Sequence, residues 1–191
     1  MVAALGALAP PPRVLVLSGS LPRGVAPDLY ARLARATPAG CRVVLDTSGP
    51  ALAAGIAAGP HLVKPNRNEL AALTGAPVDD LADLVAAARR LVADHGVGAV
   101  VVSLGAAGAL ACDATGGWLA TAPPVRVRSA VGAGDSMVGG LVVALDRGDP
   151  LPDALRLGVA AGTAAVLTDG TQLCRAADVA RLRPTVTVRP V

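Results

Sequence analysis

The sequence predicts an α/β fold: a three-layer α/β/α sandwich around a mainly parallel sheet. Two observations predict it. Short β-branched runs alternate with helical patterns along the chain, and such alternation implies right-handed βαβ crossovers. One run, Gly98 to Leu104 (GAVVVSL), is apolar almost without interruption, the pattern of a strand buried on both faces.

The elements follow in order. Arg13 to Leu17 (RVLVL) reads as a strand ending in Ser18-Gly-Ser-Leu-Pro22. A helix is expected from Asp28 to Ala36, a strand over 42–45 ending in Asp46-Thr-Ser-Gly49, and a short helix over 50–57. A short strand over 61–64 leads into a helix over 68–73. Leu81, Leu84, Ala88 and Leu91 stand at helical spacing within 78–94. After the strand at 98–104, residues 109–113 and 118–121 read as a hairpin across Ala114-Thr-Gly-Gly117, and 125–127 as a further short strand. Helices over 134–146, 151–166 and 176–182 precede a polar-alternating tail. No repeat or linker divides the 191 residues, so one domain is expected.

Composition removes several functions. No apolar run reaches the length of a membrane span, and the first nine residues, MVAALGALA, carry no basic n-region and are too short for a signal peptide; a cytoplasmic protein with no membrane partner is expected. Net charge is only +3, and Tyr30 and Trp118 are the sole aromatics, too few to stack bases, so no nucleic-acid partner is expected. Cys41, Cys112 and Cys174 lack metal-type spacing and read as structural thiols. His61 and His95 have no partner at useful spacing.

A compositional bias is more informative. The chain has sixteen Arg but one Lys (Lys64), one Glu (Glu69) and two Asn (Asn66 and Asn68), and all four lie within Lys64-Pro-Asn-Arg-Asn-Glu-Leu70. Where a background preference is broken four times in six residues, specific chemistry is the simplest reason. The alternative is a Pro-started helix with Glu69 placed for the helix dipole.

Ser129-Ala-Val-Gly-Ala-Gly-Asp-Ser136 places glycines and an acid at the start of an apolar helix. Helix N-terminal amides form an anion site, and Gly132 and Gly134 let the backbone approach a phosphate. Asp135 is placed to take a proton from an attacking hydroxyl, or to cap the helix. Ser103-Leu-Gly-Ala-Ala-Gly108 is a glycine turn after the strongest strand. Ligands in such sheets bind beyond the strand carboxyl ends, so the Ser-bearing motifs are expected to meet in one crevice.

These motifs, in this order, resemble the PfkB (ribokinase-like) carbohydrate kinases, closest to the minor 6-phosphofructokinase, 1-phosphofructokinase and tagatose-6-phosphate kinase branches. Ala130-Val-Gly-Ala-Gly-Asp-Ser-Met137 is similar to that family's second signature. The resemblance implies Asp135 as catalytic base and an anion hole of Gly132, Ala133 and Gly134. Lys64-Pro-Asn-Arg-Asn-Glu69 is similar to its K-P-N-x-x-E element. That implies a phosphate contact for Lys64, and Asn66 and Glu69 acting through water on Mg²⁺, with Asn66 also near the nucleotide. Ser103, Gly105 and Gly108 would lie near ATP with Ser129, and the small residues of 158–166, including Thr163, would pack against adenine or else serve helix packing. Ser18-Gly-Ser-Leu-Pro-Arg-Gly24 matches the sugar-phosphate loop, with Ser20 on the substrate phosphate. Asp46 reads as structural. In some members carbonyls bind a monovalent cation, K⁺; Ser129, Val131, Ala165, Thr168 and Gly170 stand at those positions.

The resemblance implies ATP-dependent phosphorylation of a ketohexose phosphate, fructose 6-phosphate first among the candidates. It covers about Arg13 to Leu182. The family's first glycine-rich signature, a sugar-binding Asp and a β-lid that often forms a homodimer have no counterpart, so an exposed sheet edge is expected. The alternatives are a nucleotide-binding remnant without turnover and a related kinase of another sugar or nucleoside.

Overall fold

The structure, a computed structural model, describes residues 5–191. Seven strands form one sheet in the order β1-β2-β3-β4-β5-β6-β7. They are β1 (Val14–Ser18), β2 (Arg42–Asp46), β3 (Leu62–Val63), β4 (Ala99–Ser103), β5 (Ala109–Asp113), β6 (Gly117–Thr121) and β7 (Thr187–Pro190). The first four pair in parallel and β6 pairs with β7 antiparallel. The helices are α1 (Leu29–Arg35), α2 (Gly49–Ile56), α3 (Arg67–Thr74), α4 (Leu81–His95), α5 (Ala133–Arg147), α6 (Leu151–Ala165) and α7 (Ala176–Leu182). This is the α/β fold with a mostly parallel sheet that the strand–helix alternation predicts.

The chain divides into two compact units. Among the described residues, one comprises 5–102 with 112–115, the other 103–111 with 116–191.

In the first unit the core is aliphatic. Val44, Leu45, Leu62, Val63, Val100 and Val101 are buried on β2–β4, and Leu52, Ile56, Leu84 and Leu91 from the helices join them. Helix α3 starts on a capping box and ends on Gly75 with φ +60°, a left-handed position suited to glycine. Helix α4 starts on Asp80, whose carboxylate accepts from the Asp83 N–H at 2.9 Å. Strand β1 lies at one end of the sheet order, and its Val16 is 39% exposed.

In the second unit the close approach of α5 and α6 dominates. A Cβ at Gly140 would lie 2.8 Å from the Leu157 carbonyl oxygen, one at Gly158 would lie 2.9 Å from Leu141 Cγ, and one at Gly162 would lie 3.1 Å from the Ala133 carbonyl oxygen. Three glycines therefore let two backbones meet where larger residues would hold them apart.

Two expectations are corrected here. No strand forms at 125–127. Pro123 and Pro124 remove two donors, and the Arg128 N–H goes instead to the Val166 carbonyl at 2.8 Å. The tail is not merely polar: β7 pairs with β6, Thr187 opposite Thr121 and Arg189 opposite Leu119. Pro190 is tolerated because β7 ends the sheet order.

Candidate active site

In the first unit the carboxyl ends of β1, β2 and β3 are tied together. The parallel register sets Leu45 opposite Val63, so Asp46 and Lys64 follow as neighbours on adjacent strands. The Lys64 ammonium lies 3.0 Å from Asp46 Oδ1, with only 8% and 17% of the two side chains exposed. The Gly19 N–H donates to the Asp46 carbonyl at 3.0 Å, and the Thr47 hydroxyl donates to the Gly19 carbonyl at 2.7 Å. The Tyr30 hydroxyl adds a bond to the Ser18 carbonyl at 2.7 Å. Ser20 is exposed in the loop that follows β1. Sequence reasoning set Asp46 aside and did not single out Thr47 or Tyr30. The sequence shows an acid at the end of β2, but only the register between β2 and β3 brings it beside Lys64, which follows β3.

Asn66 and Glu69 both serve the start of α3. Each side chain accepts the other's backbone N–H. The arrangement leaves one Glu69 carboxylate oxygen outside the cap, and Asn66 is exposed. Arg67 clamps the same helix to the turn before α4, its guanidinium donating to the carbonyls of Val78 and Asp79. Among the described residues no group of three or more His, Cys, Asp or Glu could hold a metal ion. A Mg²⁺ held here would therefore take one or two protein oxygens with water and phosphate, which is how that ion is ordinarily bound at phosphoryl-transfer sites.

In the second unit Gly132, with φ +79°, is the residue from which α5 starts. The Ser136 N–H reaches the Gly132 carbonyl at 2.9 Å and the Ala133 N–H reaches Ala130 at a long 3.4 Å. The N–H groups of Gly134 and Asp135 make no hydrogen bond among the described residues. Asp135 is exposed in this first turn and its carboxylate likewise has no partner there. Free amides at the positive end of a 15-residue helix, next to an unengaged carboxylate, can hold an oxyanion and accept a proton.

The loop before α5 is stapled to the loop after α6. The Ser129 hydroxyl donates to the Gly170 carbonyl at 2.8 Å and accepts from the Val131 N–H at 3.2 Å. Arg128 pairs with Asp169 at 2.7 Å. The Thr168 hydroxyl sits 2.7 Å from the Ala165 carbonyl and 2.8 Å from that of Gln172. Ser129, Val131 and Gly170 are thus joined, and Ala165 with Thr168.

Thr163 is buried with its hydroxyl bonded to the Val159 carbonyl at 2.8 Å, and the small residues around it serve the α5–α6 contact. Ser103 closes β4, and the turn after it runs through Gly105 at φ +61° and Gly108 at φ +105°. A Cβ at Gly108 would lie 2.0 Å from the Ala120 carbonyl oxygen, so that turn also needs glycine for packing.

Residues 6–178 match the model of the pfkB family carbohydrate kinases. The chain belongs to that family. It is 43% identical over 171 residues to the ATP-dependent 6-phosphofructokinase isozyme 2 of Escherichia coli, covering 88% of this chain and 55% of that one. It is 42% identical over 170 residues to the 1-phosphofructokinase of the same organism, covering 84% and 53%. The crystal structure of Escherichia coli phosphofructokinase-2 in complex with potassium superposes with a TM-score of 0.85 at 41% identity, covering 90% of this chain and 56% of that one. A putative phosphofructokinase from Staphylococcus aureus does so with a TM-score of 0.89 at 28% identity, covering 100% and 61%. The chain spans about half the length of the curated relatives it matches. No helix among the described residues is long and apolar enough to cross a membrane.

Proposed function

We propose that this pfkB-family chain takes part in the ATP-dependent phosphorylation of a ketohexose phosphate, with fructose 6-phosphate as first substrate. The observation that carries the proposal is Asp135, an unengaged carboxylate in the first turn of α5 beside the free N–H groups of Gly134 and Asp135. Asp135 takes the proton of the attacking sugar hydroxyl as its oxygen bonds the terminal phosphorus of ATP. The bond from that phosphorus to the bridging oxygen breaks, and ADP leaves. The Gly132–Asp135 backbone stabilises charge on the transferred group; phosphoryl transfer asks for little beyond such positioning and charge stabilisation. Lys64 contacts a nucleotide phosphate, Asn66 and Glu69 hold Mg²⁺ through water, and Ser103, Gly105, Gly108, Ser129 and Thr163 line or support the nucleotide side. Ser20 contacts the sugar phosphate. The carbonyls of the Ser129–Val131 and Ala165–Gly170 segments offer a K⁺ site, a role supported by the potassium complex of the Escherichia coli relative.

Near-equal identity to a 6-phosphofructokinase and a 1-phosphofructokinase leaves the acceptor to experiment. Fructose 6-phosphate, fructose 1-phosphate and tagatose 6-phosphate are offered with MgATP, and transfer of phosphate is followed. Preference for fructose 6-phosphate supports the reading; preference for either of the others moves the chain to that branch. A second reading, nucleotide binding without transfer, is favoured by one observation: on the sugar side the residue proposed is Ser20, which is exposed in the loop after β1. Mg²⁺-dependent ATP binding with no transfer to any of the three supports it.

A further inference from the structure

We infer that Asp46 is a positioning residue for nucleotide binding: its carboxylate fixes the Lys64 ammonium for a phosphate, and its main chain ties that lysine to the Ser18–Ser20 loop. The inference rests on the phosphate contact proposed above for Lys64.

A lysine side chain has a flexible four-carbon stem, and its ammonium is strongly hydrated. Burying it costs free energy that one carboxylate only partly offsets, so a buried ion pair is weak as a source of stability. Yet the pair sits where such sheets bind ligands, just beyond β2 and β3. Asp46 is the one hydrogen-bonding or ionic partner of the Lys64 side chain among the described residues. An ammonium has three donors, so a nine-tenths buried group keeps donors for a ligand oxygen while Asp46 sets their direction.

The same residue reaches the neighbouring loop. The Asp46 carbonyl accepts from the Gly19 N–H, Thr47 holds the Gly19 carbonyl, and the Lys64 N–H donates to the Leu45 carbonyl at 3.0 Å. Three consecutive residues at the end of β2, Leu45, Asp46 and Thr47, therefore hold both the candidate phosphate lysine and the candidate sugar-phosphate loop. A positioning role of this kind acts through Lys64 and needs no contact between Asp46 and the nucleotide.

Lys64 is the only lysine of the chain, so ε-¹³C-lysine labelling gives one side-chain resonance to follow. The resonance and the affinities for MgATP and adenosine are measured in the parent chain, Asp46→Asn and Asp46→Glu, with circular dichroism to verify folding. In the parent, MgATP moves the resonance and adenosine does not. In Asp46→Asn, ATP affinity relative to adenosine falls roughly 10–100-fold, the range typical of lost supporting contacts, and the ATP-induced shift shrinks. Asp46→Glu keeps the charge but displaces it by one methylene; it gives a smaller fall and carries the test if the Asn variant does not fold. An unchanged ATP response in the variants, or an equal loss for ATP and adenosine, overturns the inference while leaving the Lys64 contact in place. A parent resonance indifferent to saturating MgATP removes the phosphate contact itself, and the inference with it.

Discussion

Asn66 and Glu69 cap each other across the first turn of α3: the Glu69 N–H donates to Asn66 Oδ1 at 2.9 Å, and the Asn66 N–H donates to Glu69 Oε2 at 2.8 Å. The pair proposed to hold Mg²⁺ is therefore also the pair that starts the helix. The two roles come apart by substitution. Glu69→Gln keeps an oxygen for the cap and removes the charge, so melting stays near the parent while the Mg²⁺ needed for half-maximal nucleotide binding rises. Glu69→Ala loses both, with a stability cost of about 0.5–2 kcal/mol. Thermal unfolding and Mg²⁺ titration read the two effects independently.

Neighbouring glycines on α5 make opposite predictions. A Cβ at Gly139 meets nothing within 4 Å, whereas one at Gly140 meets the Leu157 carbonyl oxygen at 2.8 Å and Gly158 Cα at 2.9 Å. Gly139→Ala should stabilise by about 0.5–1 kcal/mol through helix propensity. Gly140→Ala should destabilise by about 1–3 kcal/mol, because the obstructing atoms are backbone and cannot swing aside. Denaturant unfolding of the two variants checks the sign of each.

Burial pushes the Cys112 thiol up to about 11 from an ordinary value of 9.0, with Arg89 opposing and Asp113 adding to the rise. A thiol whose value is raised on folding contributes stability below its unfolded value and loses it as pH climbs through the folded one. Stability should therefore fall between about pH 9 and pH 11, on the order of 2 kcal/mol from this group. Cys112→Ala should flatten that slope in pH-dependent unfolding, though it leaves a small cavity and lowers stability throughout. The native chain should resist alkylation at Cys112 at pH 8.

Most of the fold was legible because the burial pattern and the element types agree. Val100, Val101 and Val102 are all buried in β4, as an uninterrupted apolar run predicts. What could not be read was tertiary. β7 is a marginal strand that exists because β6 offers it a partner, and 125–127 fails as a strand because its neighbouring backbone donor is used by a loop 38 residues away in sequence, Arg128 to Val166. The candidate site was legible only as motifs, and the roles of its residues are proposals. Rare residue types marked Lys64, Asn66 and Glu69, and glycine spacing marked Asp135. Their wiring was not, since pairing Lys64 with Asp46 requires the register between two strands. The small residues of α6, open to two readings in sequence, serve helix packing at Gly158 and Gly162.

The most direct test of the account compares the chain with Asp135→Ala for phosphoryl transfer from MgATP to fructose 6-phosphate, alongside ATP binding. The account predicts transfer that falls by about 10²–10⁴-fold in the variant, as expected for loss of a general base, with ATP affinity within a few-fold of the parent. Transfer that survives undiminished in Asp135→Ala, or a chain that neither binds ATP nor transfers phosphate, would contradict it.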